Sequence, residues 1–119
     1  MSKVMIIDDS KDIGVFCELV ANMVGVEATY VENVQEGMQL LERGFCPDVI
    51  LLDLYMPGRQ PEEIVDRVNS SAALSGTRVV LMSSVNDVKD FATHLGAHGS
   101  LSKPFNINQL AEEIQSRAG

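Results

Sequence analysis

The sequence predicts an α/β domain in which an open, doubly wound sheet of five parallel strands lies between two layers of helices. Three observations carry this. Residues 4–7, 49–52 and 79–82 are continuous apolar runs, as expected of parallel strands covered on both faces. The stretches between them place apolar residues at i, i+3, i+4 and i+7, the period of amphipathic helices, so the chain reads as a βα repeat. Its 119 residues, 45% hydrophobic and 22% charged, make one ordinary globular domain long enough to bury a core without disulfide or metal staples.

In chain order, the first central strand (residues 4–7) leads into a helical stripe of Ile13, Phe16, Cys17, Val20 and Val24, which needs a sheet to lie on. Residues 28–32 are shorter and more polar, as suits an edge strand. Asn33 with Glu36 three residues later reads as a capping box opening the second helix, which ends near Arg43-Gly44 before Pro47. The second central strand, 49–52, follows. Pro61 opens the third helix at a favoured first-turn position. After strand 79–82, a fourth helix runs from about Asn86 to Leu95, with Val88, Ala92 and Leu95 on one face and Gly96 as its left-handed terminator. Residues 99–102 form the other edge, and Ile107, Leu110, Ala111 and Ile114 make the last helical stripe. Met5, Met23, Met38 and Met82 fall in apolar runs and read as core filler. Five right-handed βα units give, most economically, the flavodoxin-like strand order 2-1-3-4-5.

Nine basic residues against seventeen acidic leave a net charge of −8. With Lys11, Arg43, Lys89 and Arg117 spread over separate helices, binding of nucleic acid or an anionic membrane by this domain is not expected. Cys17 and Cys46 stand in no CxxC or Cys/His ligand spacing, which predicts a reduced, cytoplasmic chain. No apolar stretch has signal-peptide form or approaches the roughly 20 residues of a membrane span. Neither GxGxxG nor GxxxxGK[ST] follows the first strand, which argues against a dinucleotide or P-loop site.

In doubly wound sheets ligands bind beyond the carboxyl ends of the strands. Here the first strand ends in Asp8-Asp9, the third in Asp53, the fourth in Ser83-Ser84 and the fifth in Lys103-Pro104. Neighbouring carboxylates oppose one another's ionisation unless a cation joins them. Mg²⁺ suits a few oxygen ligands with an open side better than Ca²⁺ or Zn²⁺ cages would. A carboxylate so placed is a competent nucleophile towards phosphorus, since phosphoryl transfer relies on positioning and charge neutralisation. Asp53 would attack, Asp8 and Asp9 would hold the metal, Ser83 would hydrogen-bond a phosphoryl oxygen, and Lys103 would balance the remaining charge. Singly, each has a plainer reading as a cap, turn or surface residue; their joint placement at four strand ends carries the inference.

The segments IIDD, VILLDLYMPG, VVLMSS and LSKPF, in this order and spacing, resemble the receiver domain of bacterial two-component response regulators, a CheY-like fold, over essentially all of residues 1–119. The resemblance implies that Asp53 accepts a phosphoryl group from a sensor histidine kinase or a histidine phosphotransfer protein. It also implies Mg²⁺ held directly by Asp9, through water by Asp8, and by Asp53 and the backbone carbonyl of Tyr55, with Ser83 and Lys103 in the family's hydroxyl and lysine positions. The phosphorylated domain would act on a downstream protein, or on an output domain beyond this segment, through the face formed by the fourth helix, fifth strand and fifth helix. A complete regulator and an N-terminal receiver of a longer one both remain open.

The sequence departs from the family pattern in three places. Ser100 stands where an aromatic residue usually precedes the lysine by three places, so signalling without that ring is expected. Tyr55 and Val85 lie two residues after Asp53 and Ser83 and are expected to restrict the water that hydrolyses the acyl phosphate. Tyr55 also occupies the place of the second acid of aspartate-based phosphohydrolases, which disfavours turnover of external substrates. Gln60-Pro61 replaces the usual Asp-Gly, leaving a poorer helix cap.

Overall fold

The computed structural model describes residues 2–54, 61–84 and 88–118. Strands β1 (Lys3–Ile7), β2 (Glu27–Val31), β3 (Val49–Asp53), β4 (Arg78–Ser83) and β5 (Gly99–Ser102) alternate with helices α1 (Lys11–Met23), α2 (Val34–Glu42), α3 (Glu62–Ser70), α4 (Val88–Leu95) and α5 (Ile107–Ala118). All pairings are parallel and the strand order is β2-β1-β3-β4-β5, the expected three-layer arrangement with the two polar strands at the edges.

Alternation along the strands divides the core in two. Met5, Ile7, Ile50, Leu52, Val79 and Leu81 pack with α2, α3 and α4. Val4, Ile6, Val49, Leu51, Val80 and Met82 pack with Cys17, Val20 and Ala21 of α1 and Leu110 and Ile114 of α5. All twelve strand residues are fully buried, which explains why their runs show no apolar-polar alternation in sequence.

Local signals act as read, with adjustments. Asn33 Oδ1 accepts the Glu36 N–H at 2.8 Å; the reciprocal bond comes from the Asn33 side-chain amide to Glu36 Oε1 instead of from the backbone. Gly44 and Gly96, just past α2 and α4, have φ of 97° and 83°, where glycine carries no Cβ penalty. β2 begins and ends one residue before the expected 28–32, and β4 extends one residue beyond each end of 79–82. Pro61 occupies the N-cap place with helical φ and ψ, so α3 is counted from Glu62. A short 3-10 turn, Ala72–Leu74, links α3 to β4. The expected start of α4 at Asn86 lies outside the described residues.

One core assignment is overturned: Met23 is 70% exposed, with Leu19 at 58% and Val15 at 44%. Cys17, Val20 and Ala21 set the buried face of α1, and at 100° per residue positions 15, 19 and 23 form an i, i+4, i+8 row on the opposite side. Met5 and Met82 are fully buried, and Met38 packs against the first core.

Candidate functional site

The strand register brings the acidic residues together. Ile7 pairs with Leu52, so Asp8 and Asp53, the next residues, leave adjacent strands side by side. Their parity (4, 6, 8 and 49, 51, 53) directs both to the α1/α5 side, where Leu101 and then Lys103 follow from β5. Lys103 Nζ lies 3.0 Å from Asp8 Oδ2 and 3.4 Å from Asp53 Oδ1. Asp8 is fully buried and Asp53 only 5% exposed. Asp8 Oδ1 also accepts the Ser10 N–H at 2.8 Å, which ties the carboxylate to the turn entering α1. Ser10 in turn caps that helix, accepting from Ile13 N.

Asp9 adds an exposed carboxylate, and ligand oxygens of Asp8, Asp9 and Asp53 all lie within 4.8 Å of one another. Among the described residues three carboxylates face one ammonium, an excess of negative charge that a hard divalent cation would neutralise. The donor set is all oxygen, buried on one side and open at Asp9, so these residues fit an ion that keeps waters. Burial works against the charge of Lys103, but the hydrogen bond to Asp8 and the fields of Asp53 and Asp8 outweigh it and hold its pKa above the usual lysine value. Lys103 is therefore a permanent cation of the site.

Ser83 ends β4, 2% exposed, in register with Ser102. Its carbonyl accepts the Lys103 N–H at 2.7 Å, so the hydroxyl-bearing and ammonium-bearing residues are joined through the backbone. The Lys103–Pro104 peptide is cis. Asp8, Asp9, Asp53, Ser83 and Lys103 are thus brought to one sheet edge as read from sequence. Tyr55, the remaining metal-ligand candidate, lies outside the described residues, as do Val85 and Gln60. Ser100 is half-buried on β5, opposite Leu81, and helps line an open pocket of about 280 Å³ with Lys89, Thr93, Glu113 and Arg117.

One feature near the site was not legible in sequence. Tyr30 of β2 donates its hydroxyl to the Asp8 carbonyl at 2.7 Å, and its ring lies where a Cβ on Gly14 would be. A tyrosine on an edge strand and a glycine inside a helix stripe were the available signals, but they lie 16 positions apart in different elements. Cys17, beneath the site, has its thiol pKa pushed up to about 12 by burial and then by the Asp8 charge, against a smaller lowering by Lys103; it is a packing residue, not a nucleophile. His98 is also engaged: its Nδ1 accepts the Val79 N–H at 3.0 Å.

Comparison with known proteins agrees with this geometry. The chain is 26% identical over 115 residues to Sporulation initiation phosphotransferase F of Bacillus subtilis, covering 95% of this chain and 90% of that protein. It is 29% identical over 118 residues to Protein PilG of Pseudomonas aeruginosa, covering 96% and 85%. Against the Probable transcriptional regulator ycf27 of Guillardia theta it is 27% identical, but it spans only 44% of that protein's length. Among solved structures, the chemotaxis protein CheY4 of Vibrio cholerae superposes with a TM-score of 0.85 at 26% identity over 98% of each chain. A response regulator receiver protein from Burkholderia phymatum gives 0.88 at 25% identity over 100% of this chain and 96% of that one. The model of the response regulator receiver domain family matches residues 4–115, and the chain that carries this acidic, lysine-bridged sheet edge belongs to that family of two-component signalling receivers.

Proposed function

We propose that residues 1–119 act as one phosphorylation-controlled receiver in which Asp53 is the phosphoacceptor. The observation that carries this is the Lys103 ammonium shared between Asp8 and Asp53, with Asp9 beside them. In the forward step an Asp53 carboxylate oxygen attacks the phosphorus of a phosphohistidine on a sensor histidine kinase or a histidine phosphotransfer protein. A P–O bond forms as the P–N bond breaks, and the donor's imidazole leaves. Lys103 holds positive charge beside the attacking oxygen, and Ser83 supplies a hydroxyl at the adjoining strand end for a phosphoryl oxygen. Asp8, pinned by Ser10 N–H and Lys103, is the fixed wall of the site.

Mg²⁺, held by Asp8, Asp9, Asp53 and the backbone carbonyl of Tyr55, would supply the divalent charge that offsets the phosphoryl oxygens. Hydrolysis by water at phosphorus returns the Asp53 carboxylate and inorganic phosphate, so the domain's chemistry is confined to its own phosphorylation and dephosphorylation. Ser83 sits at the carboxyl end of β4, which pairs with β5, so a shift there reaches the face made by α4, β5 and α5. That face would engage a downstream protein or an output domain. Cytoplasmic placement beside the kinase accords with the absence, among the described residues, of any helix long and apolar enough to cross a membrane.

The test is intact-mass spectrometry after incubation with Mg²⁺ and a small acyl phosphate. One added phosphoryl group is expected, and it is expected to vanish with a chelator and in Asp53→Asn. Undiminished labelling of Asp53→Asn would overturn the assignment.

A further inference from the structure

The two carboxylates that precede α1 are not held alike. Asp8 has its side chain fixed by Ser10 N–H and Lys103, whereas Asp9 is exposed and receives no side-chain hydrogen bond among the described residues. What orients Asp9 is the peptide that joins it to Asp8. That peptide is planar, so fixing its carbonyl also fixes the Asp9 nitrogen and the direction in which Asp9 departs. Its carbonyl is the one that accepts the Tyr30 hydroxyl at 2.7 Å.

Tyr30 reaches this carbonyl because α1 makes room for it. Gly14 lies inside the helix, fully regular and buried, although glycine is the poorest residue there apart from proline. Its φ is not in the left-handed region, so backbone freedom does not explain it. Space does: a Cβ at position 14 would collide with Cε1, Cζ and Cε2 of the Tyr30 ring. An unfavourable helix residue and a long-range hydroxyl contact thus form one device directed at the Asp8–Asp9 peptide.

We propose that Tyr30, seated on Gly14, is a positioning residue that sets the Asp8–Asp9 turn for cation binding. The inference rests on the reading of Asp8, Asp9 and Asp53 as the Mg²⁺ site. Tyr30→Phe keeps the ring on Gly14 and removes only the hydroxyl; Gly14→Ala keeps the hydroxyl but displaces the ring. Mg²⁺ affinity is measured for the parent and both variants by NMR titration of the Asp9 and Ser10 amides, beside thermal unfolding in chelator. The loss of one hydrogen bond predicts a dissociation constant about three- to tenfold weaker in Tyr30→Phe, and at least as weak in Gly14→Ala. A purely structural role would lower the melting temperature and leave the dissociation constants within twofold of the parent, and that result overturns the proposal. A parent that shows no Mg²⁺ response overturns the site reading itself, whereas a responding parent with an unchanged Tyr30→Phe overturns only the role of Tyr30.

Discussion

Replacing Lys103 by Met should destabilise the ion-free domain and make Mg²⁺ a stronger stabiliser of it. The ammonium lies 3.0 Å from Asp8 and 3.4 Å from Asp53. At an effective dielectric of ~20 these attractions are worth about 5.5 and about 4.9 kcal/mol. Taking a side chain that is only 20% exposed out of water opposes them by several kcal/mol, and removing one partner of such a cluster costs about 3–4 kcal/mol in total. For a domain of this size that corresponds to a melting temperature lower by roughly 10–15 °C. Methionine keeps the length of the stem, so lost packing contributes little. Without the ammonium, a cation that competes with the metal for Asp8 and Asp53 is gone, so saturating Mg²⁺ should recover more stability in the variant than it adds to the parent, following RT ln(1 + [L]/Kd). Thermal unfolding followed by circular dichroism in chelator and in Mg²⁺ measures both effects. A variant melting within 2 °C of the parent in chelator would refute the idea that Lys103 neutralises this edge.

Three further outcomes follow from particular residues. In native protein a thiol reagent should modify exposed Cys46 and leave Cys17 untouched, because Cys17 is buried with its pKa pushed up to about 12; denaturant should release both, as counted by absorbance. His98 is held below its ordinary value of 6.5 by burial and by Arg78 and Arg117, so its folded state resists a proton that the unfolded chain accepts. Its contribution to stability is therefore complete above about pH 6.5 and is lost as pH falls from there through the lower folded value; imidazole NMR should show the low midpoint, and the parent should lose more stability than His98→Gln on acidification. Asn33→Ala removes the α2 cap and should cost about 1 kcal/mol in urea unfolding while leaving Mg²⁺ affinity unchanged.

Most of the fold was legible because every residue of the central runs 4–7, 49–52 and 79–82 is buried on one of two covered faces, so those residues needed only to be apolar. The site was legible because Asp8, Asp53, Ser83 and Lys103 each terminate or follow a strand, and strand order alone places such residues together. Met23 was misjudged because membership of an apolar run says less than angular position, and Val20 and Ala21 had already set the buried face of α1. The Tyr30–Gly14 seat could not be read, since neither residue's role exists without the other element packed against it. His98 was similarly opaque: its use as an acceptor for Val79 N–H depends on where the α4–β5 turn places the ring.

The short bond from the Lys103 N–H to the Ser83 carbonyl has a mechanical meaning. Peptide units are stiff, and a 2.7 Å link between them yields far less than a side-chain torsion. Were the tip of β4 drawn towards a phosphoryl group on Asp53, as proposed above, the neighbouring strand would be dragged by its last peptide, much as one rung moves both rails of a ladder. In a domain with Ser100 where a ring would usually rotate, the message can travel as a tug on the main chain.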